Sequence, residues 1–414
     1  MKKLLVLFMA ATVVLLTGCT SAVDYSEEID ALETEIATLK QTVQDLEDDV
    51  EVLMNVPEKV VLKVAMITDS GTIDDESFNQ GTWEGIQTYA NANGHLYQYY
   101  KPTEVSDTAY LAAIQLAVND GADVVVTPGF LFETSVHAAQ DLYPDVKFIL
   151  IDGSPHNVVN WVTMETYDGE APDFTVADNT LSIFFSEHES GFLAGYAAVK
   201  DGYTHLGFTG GMAVPAVVKF GVGYVAGAYY AANEMDVTIT FGDDDYYYFG
   251  DFGPSDIFKS YAAARFADGV EVIFSAAGGA GGSVMAAAEE AVAAGGSAAV
   301  IGVDVDQYFL SDTVITSALK GLGIAVMGAL ADIEAGTFVG AQSIVLGAAE
   351  NGVGLPMGNS VFSTFNNEDY LDILAEIADG TIVVPSSHAE LVTFLTANGD
   401  PSGYPAAAVV EPAS

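Results

Sequence analysis

The chain is 414 residues long, with 58 acidic against 12 basic side chains and a formal charge of −46 at neutral pH. Half of it is hydrophobic, which excludes a disordered chain and supplies core for two lobes of ordinary size. So acidic a surface repels phosphates and argues against DNA or RNA as a partner, and the one cysteine, Cys19, excludes an intrachain disulfide and any cysteine-based metal site.

The chain opens on Met1-Lys2-Lys3, followed by an apolar run from Leu4 to Leu16. The run has signal-peptide length and is short for a membrane span. It ends in Leu16-Thr17-Gly18-Cys19, which resembles the lipobox of prokaryotic lipoproteins. That resemblance implies cleavage before Cys19, lipidation of its thiol, and a protein held at the outer face of the cell membrane. An ordinary secretory signal with a free cysteine is the plainer alternative.

Residues 19–57 read as a spacer. Ile29, Leu32, Ile36, Leu39, Val43, Leu46, Val50 and Leu53 alternate steps of three and four. Ile or Val at every a position and Leu at every d is the choice that favours a parallel two-stranded coiled coil. A homodimer through residues 29–53 is therefore expected, with a lone amphipathic helix as the alternative. Glu35 would pair with Lys40 of a second copy, whereas Glu28 and Glu33 would repel. Pro57 ends the helix.

From residue 58 the pattern is strand then helix, repeated. Strands are predicted over 60–67, 122–126, 147–151, 205–208, 270–274 and 298–303. Helices are predicted over 77–92, 110–119, 135–142, 189–199, 216–233, 260–267 and 283–294. Continuous apolar strands alternating with helices predict an α/β fold with parallel sheets covered on both faces, and the length fits two such sheets. The expected lobes are residues 58–178 and 179–303, each with a later return segment, and 386–414 are a tail.

In open α/β sheets ligands bind beyond the carboxyl ends of the strands. Those ends carry Thr68-Asp69-Ser70-Gly71, Thr127-Pro128-Gly129, Asp152-Gly153, Ala277-Gly278-Gly279 and Asp304-Val305-Asp306. One acid after a strand is ordinarily a helix cap. Several acids and two glycine turns at one crevice point to a binding site.

Longer motifs give a family resemblance. The run Ala65-Met-Ile-Thr-Asp-Ser-Gly-Thr-Ile-Asp-Asp-Glu-Ser-Phe-Asn-Gln-Gly-Thr-Trp-Glu-Gly85 resembles the opening of the basic membrane protein family, the PnrA-like nucleoside-binding lipoproteins of ABC transporters. Tyr143 to Phe148 with Asp152, Gly191 to Tyr196, Gly207 to Met212, Phe274 to Gly279, Ile301 to Gln307, Val314 to Lys320 and Ile377 to Pro385 follow in the family's order. The resemblance covers residues 60–385. It implies a type I periplasmic-binding-protein fold, two doubly wound lobes with hinge crossings, and a purine nucleoside held between them for an ABC permease and its ATPase.

The resemblance also implies site residues. Phe78 matches one of two rings that sandwich the base. Phe252 is the expected second ring, with Phe249 as the fallback. Asp69 and Asn79 match positions that contact the base, and Asp152 is a further candidate. Asp304 matches the carboxylate for the ribose diol, with Lys320 beside it. Gly278 would let the backbone approach the sugar.

The sequence is also compatible with other readings. Another small polar ligand, such as a sugar or signalling molecule, would fit the same fold; an interaction lipoprotein built around its coiled coil is the reading from a different class. Asp304-Val-Asp306 and Asp74-Asp75 could suggest a metal-dependent hydrolase, and Asp243-Asp-Asp245 a calcium loop. Neither has EF-hand spacing. No P-loop, no Gly-x-Ser-x-Gly elbow and no His-Glu-x-x-His occurs. The sequence therefore predicts a binding protein rather than an enzyme, with no cofactor and no metal.

Overall fold

The computed structural model describes residues 24–54, 60–398 and 404–408. The Leu4–Leu16 run, Cys19 and Pro57 lie outside the described residues. The chain divides into two compact units, one up to Val60 and one from Val61 onward. The first contains helix α1, Ser26–Met54. Its seam residues Ile29, Leu32, Ile36, Leu39, Val43, Leu46 and Val50 are all exposed.

The second unit holds two six-stranded sheets. In the first lobe the chain runs β1 (Lys63–Ile67), α2 (Phe78–Asn93), β2 (Leu96–Tyr100), α3 (Asp107–Asn119), β3 (Val124–Pro128), α4 (Glu133–Leu142) and β4 (Lys147–Ile151). A small antiparallel hairpin follows, β5 (Val158–Asn160) with β6 (Glu165–Thr166), and then β7 (Thr180–Phe185). Strands β1 to β4 and β7 pair in parallel. Their residues are nearly all buried except in edge strand β2, as expected of strands covered on both faces.

The second lobe repeats the plan. It contains α5 (Glu187–Lys200), β8 (Leu206–Gly210), α6 (Pro215–Met235), β9 (Tyr246–Tyr248), α7 (Asp256–Ala267), β10 (Val272–Ala276), α8 (Gly281–Ala293), β11 (Ala299–Asp304) and β12 (Val314–Lys320). The chain then returns to the first lobe as α9 (Leu322–Ala335) and β13 (Gln342–Leu346), and goes back as β14 (Val353–Gly354), α10 (Asn367–Ala378) and α11 (His388–Asn398). The strand orders are β13-β7-β4-β3-β1-β2 and β14-β12-β11-β10-β8-β9. Crossings follow β7, β12 and β13, which is the type I architecture.

Every predicted strand and helix of the body is present. Two boundaries differ. The first crossing falls after Phe185 rather than at 178, because Thr180–Phe185 pairs with β4 inside the first sheet. Residues 388–398 form a packed helix rather than a tail: Leu391 and Leu395 are buried, and Phe394 meets Phe192 edge-on at 6.1 Å.

Helices α5 and α6 are packed backbone to backbone in the second lobe. Gly191 and Gly195 face Gly223 and Gly227. A Cβ on Gly195 would lie 2.1 Å from the Tyr224 carbonyl oxygen, and one on Gly227 would lie 2.0 Å from that of Phe192. Only glycine lets the two backbones meet this closely. The contact places the first turn of α5 beside Phe220 and, through Ser190, against β12: the Ser190 hydroxyl donates to the Leu319 carbonyl at 3.0 Å.

Candidate functional site

The carboxyl ends of the two sheets face each other, and side chains from both meet there. Lys320, the last residue of β12, is almost fully buried. Its Nζ donates to Asp152 Oδ2 at 2.5 Å, just beyond β4 of the other sheet. It lies 3.2 Å from Glu187 Oε1, at the first turn of α5. The ring centroids of Phe78, Phe185 and Phe220 lie 5.1, 5.5 and 5.7 Å from the same ammonium. Carboxylates supply its counter-charge and aromatic faces its remaining shell.

Asp304 ends β11 with its carboxylate buried, and the Ser77 hydroxyl donates to its Oδ2 at 2.6 Å. Ser77 immediately precedes α2 of the first lobe. Nearby, Gln307 Nε2 donates to the Glu76 carbonyl at 2.6 Å. The two lobes are therefore linked by Lys320–Asp152, Ser77–Asp304 and Gln307–Glu76.

A second polar knot holds the loop after β1. Asn79 Nδ2 donates to Asp69 Oδ1 at 2.9 Å and to Asp75 Oδ2 at 2.8 Å. The Gly71 amide donates to Asp69 Oδ1 at 2.8 Å. Asp75 caps the start of α2, accepting from the Ser77, Asn79 and Gln80 amides at 3.0 Å each. Both amide hydrogens of Asn79 are thus spent on carboxylates. The geometry makes Asn79 the residue that orients Asp69, rather than a free donor.

Phe252 lies on the opposite wall, its carbonyl accepting from the Ala280 amide at 2.7 Å. A Cβ on Gly211 would fall 2.3 Å from its ring, so the ring occupies the space beside that glycine. A Cβ on Gly278 would lie 3.5 Å from the same ring, an ordinary contact. Gly278 is required instead by its φ of 55°. Phe249, the alternative, is buried in another cluster and stacks on Phe258 with centroids 4.2 Å apart.

The electrostatics follow from burial. It raises the Asp69 and Asp304 carboxyls above their ordinary range. It pushes Asp152 up to about 6, with Glu187 adding to the rise and Lys320 opposing it. Asp152, Glu187 and Asp304 in turn raise Lys320, so the ammonium stays charged although buried.

The structure thus brings Asp152, Asp304, Lys320 and Phe78 together, with Phe252 and Gly278 on one wall and Asp69 and Asn79 on another. The partners of the ammonium lie in both lobes. Lys320 donates to Asp152 and forms an ion pair with Glu187, and Asp304, which also acts on the ammonium, takes its hydrogen bond from Ser77. The chain reaches Asp152 from the facing sheet, and this pairing decides where the ammonium goes. Sequence reading missed Ser77, Gln307, Phe185, Phe220 and Glu187. An acid at a helix start reads as a partner of the helix dipole, and nothing in the string marks Glu187 as buried.

Several known proteins resemble this chain. A family model described as ABC transporter substrate-binding protein PnrA-like matches residues 62–388. The ABC transporter nucleoside-binding protein BmpA of Lactococcus lactis is 29% identical over 348 residues, covering 79% of this chain and 90% of that protein. Basic membrane protein A of Borreliella burgdorferi is 30% identical over 337 residues, covering 80% of this chain and 90% of that one. An ABC transporter solute-binding protein from Aeropyrum pernix K1 shares the fold, with a TM-score of 0.64 at 24% identity over 81% of this chain and 98% of that one. The family model spans most of the chain, so the chain belongs to the PnrA-like family of ABC transporter substrate-binding proteins.

Proposed function

We propose that this protein captures purine nucleosides outside the cell and delivers them to an ABC permease driven by its ATPase. Phe78 and Phe252 flank the base, Asp69 meets its polar edge, and Asn79 holds Asp69 in place. Asp304 accepts from the ribose diol. Lys320 fixes Asp152, whose Oδ1 is buried without a hydrogen-bond partner among the described residues. That orphaned acceptor, on the same carboxylate whose other oxygen is already paired across the cleft, is the observation that carries the reading. A buried acceptor of this kind favours a ligand rich in hydroxyl or amino donors. The name of the Lactococcus relative supports nucleosides among such ligands.

Function is by hinge closure rather than catalysis: contacts from both lobes favour the closed state, which the permease recognises. Lipidation of Cys19 anchors the protein on the outer face of the membrane, and α1 pairs with a second copy through its exposed seam. Thermal-shift and calorimetric screening of nucleosides, free bases and sugars tests the ligand class. Stabilisation by adenosine, guanosine or inosine is the expected result. A response confined to sugars, or none to any nucleoside, overturns it.

A further inference from the structure

Glu187 is the buried acid that the binding roles above leave unused. Only 2% of it is exposed, and each of its oxygens faces a lysine: Oε1 lies 3.2 Å from Lys320 Nζ and Oε2 lies 3.3 Å from Lys219 Nζ. Its position in the fold gives those contacts a direction. Glu187 opens α5, which is tied to β12 by Ser190 and packed on α6 backbone to backbone at the paired glycines. Lys320 ends β12, and Lys219 and Phe220 lie on α6. Glu187, Lys219, Lys320 and Phe220 therefore travel together with the second lobe. Asp152, Phe78 and Phe185 belong to the first.

When hinged lobes part, Lys320 leaves Asp152 but keeps Glu187. When they close, the two carboxylates share one ammonium and repel each other across it. We propose that Glu187 is a positioning residue that sets the strength of the cross-cleft latch: it is the resident counter-ion of Lys320 in the open state and competes with Asp152 for the ammonium in the closed one. With Asp152 withdrawn, Lys320 keeps Glu187 at 3.2 Å and the more distant Asp304 of its own lobe, so removing Glu187 takes away its nearest counter-ion and penalises the open state most. It also removes the charge that repels Asp152. Both effects favour closure, so losing this buried contact should strengthen ligand binding. Lys219 works in the opposite sense. By holding one oxygen of Glu187 it weakens the hold on Lys320.

This inference rests on hinge closure at the proposed nucleoside site, and the experiment separates the two. The full chain is compared as wild type, Glu187→Gln, Asp152→Asn, the double variant and Lys219→Gln. Adenosine affinity is read by calorimetry, release by stopped flow, and lobe closure without ligand by small-angle scattering. Glu187→Gln should bind adenosine roughly fivefold more tightly, release it more slowly, and show a smaller radius of gyration. Lys219→Gln, at a half-exposed side chain, should weaken binding and enlarge the radius. In the Asp152→Asn background the effect of Glu187→Gln on affinity should vanish. Weaker binding by a folded Glu187→Gln protein, or an equal effect with Asp152 absent, overturns the proposal. If Glu187→Gln does not fold, unchanged or tighter binding by Lys219→Gln overturns it. If wild type gives no heat with adenosine, the nucleoside reading fails, and the scattering comparison still decides the role of Glu187.

Discussion

Asp152 and Asp304 occupy matching places in the two sheets and reach across to each other's lobe. Each ends or follows the third strand of its sheet, β4 or β11. Each has a left-handed backbone, with φ of 55° and 65°. Asp152 of the first sheet accepts from Lys320 of the second, and Asp304 of the second accepts from Ser77 of the first. A left-handed conformation costs a non-glycine residue roughly 1–2 kcal/mol. Two such residues at equivalent strand ends turn their carboxylates toward one crevice, the sort of strain found at functional sites.

The Asp304 carboxylate can be tested against the sugar it is proposed to hold. Asp304→Asn keeps the shape and tolerates the backbone, and it should weaken adenosine by about tenfold or more, since hydrogen bonds to charged groups contribute roughly 1.5–3 kcal/mol. The same variant should bind 2′,3′-dideoxyadenosine as the wild type does. Equal losses for both ligands in calorimetry would remove the ribose diol from Asp304.

The two aromatic candidates separate by what they lose. Phe78→Ala and Phe252→Ala should each weaken purine nucleosides by about tenfold or more while the protein stays folded, as stacking one base contributes roughly 1–3 kcal/mol. Phe249→Ala should instead cost about 3–5 kcal/mol of stability, because its ring stacks on Phe258 in a buried cluster. Denaturant melts and calorimetry on the same three variants decide the assignment.

Asp152 gives stability a pH dependence of definite sign. Its folded pKa, about 6, lies above its ordinary value, so the folded state holds the proton more tightly than the unfolded chain. That share of stability is fully present below the ordinary carboxyl range and is lost as pH rises through about 6. Wild type should therefore gain roughly 2 kcal/mol relative to Asp152→Asn between about pH 7 and pH 4. Buried His188, held down to about 4, acts in the opposite direction over the same range. Only the difference between wild type and variant isolates Asp152. A pH-independent difference in denaturant midpoints would refute the shift.

The site should reject nucleotides. Asp69, Asp152, Glu187 and Asp304 converge there, and Lys320 is already paired. A 5′-phosphate would be desolvated without an arginine fork. Adenosine should outcompete AMP by about a hundredfold, and high salt should leave the preference in place because buried charges are poorly screened. Equal affinities in competitive titration at both salt levels would reopen the glycine run 278–282 as a phosphate site.

The stalk and the ligand site should be independent. Every proposed contact lies beyond Pro57, so deletion of residues 20–57 should leave adenosine affinity unchanged. The intact chain should dimerise weakly and more strongly in salt, because α1 carries ten acids against Lys40 alone. Sedimentation showing a monomer at high micromolar concentration and high salt would exclude pairing through α1.

The string of residues by itself determined the strand–helix alternation, the two parallel sheets and the site positions that follow strand ends. Those features depend on local periodicity and on short motifs, and both are written consecutively, as in Val124-Val-Val-Thr-Pro128 running into Gly129. Edge and late elements such as β2, β13 and α11 were less legible, since half-exposed or short segments lack a clean apolar period. Only the tertiary structure decided who pairs with whom. Lys320 reaches Asp152 from 168 residues away, Ser77 reaches Asp304 from 227, and Glu187 turns from a helix-end acid into a buried counter-ion between two lysines. The physical reason is that a buried charge takes its partner from whatever the other lobe presents. Sequence order says which acids stand at strand ends, but folding alone decides which of them meets the ammonium.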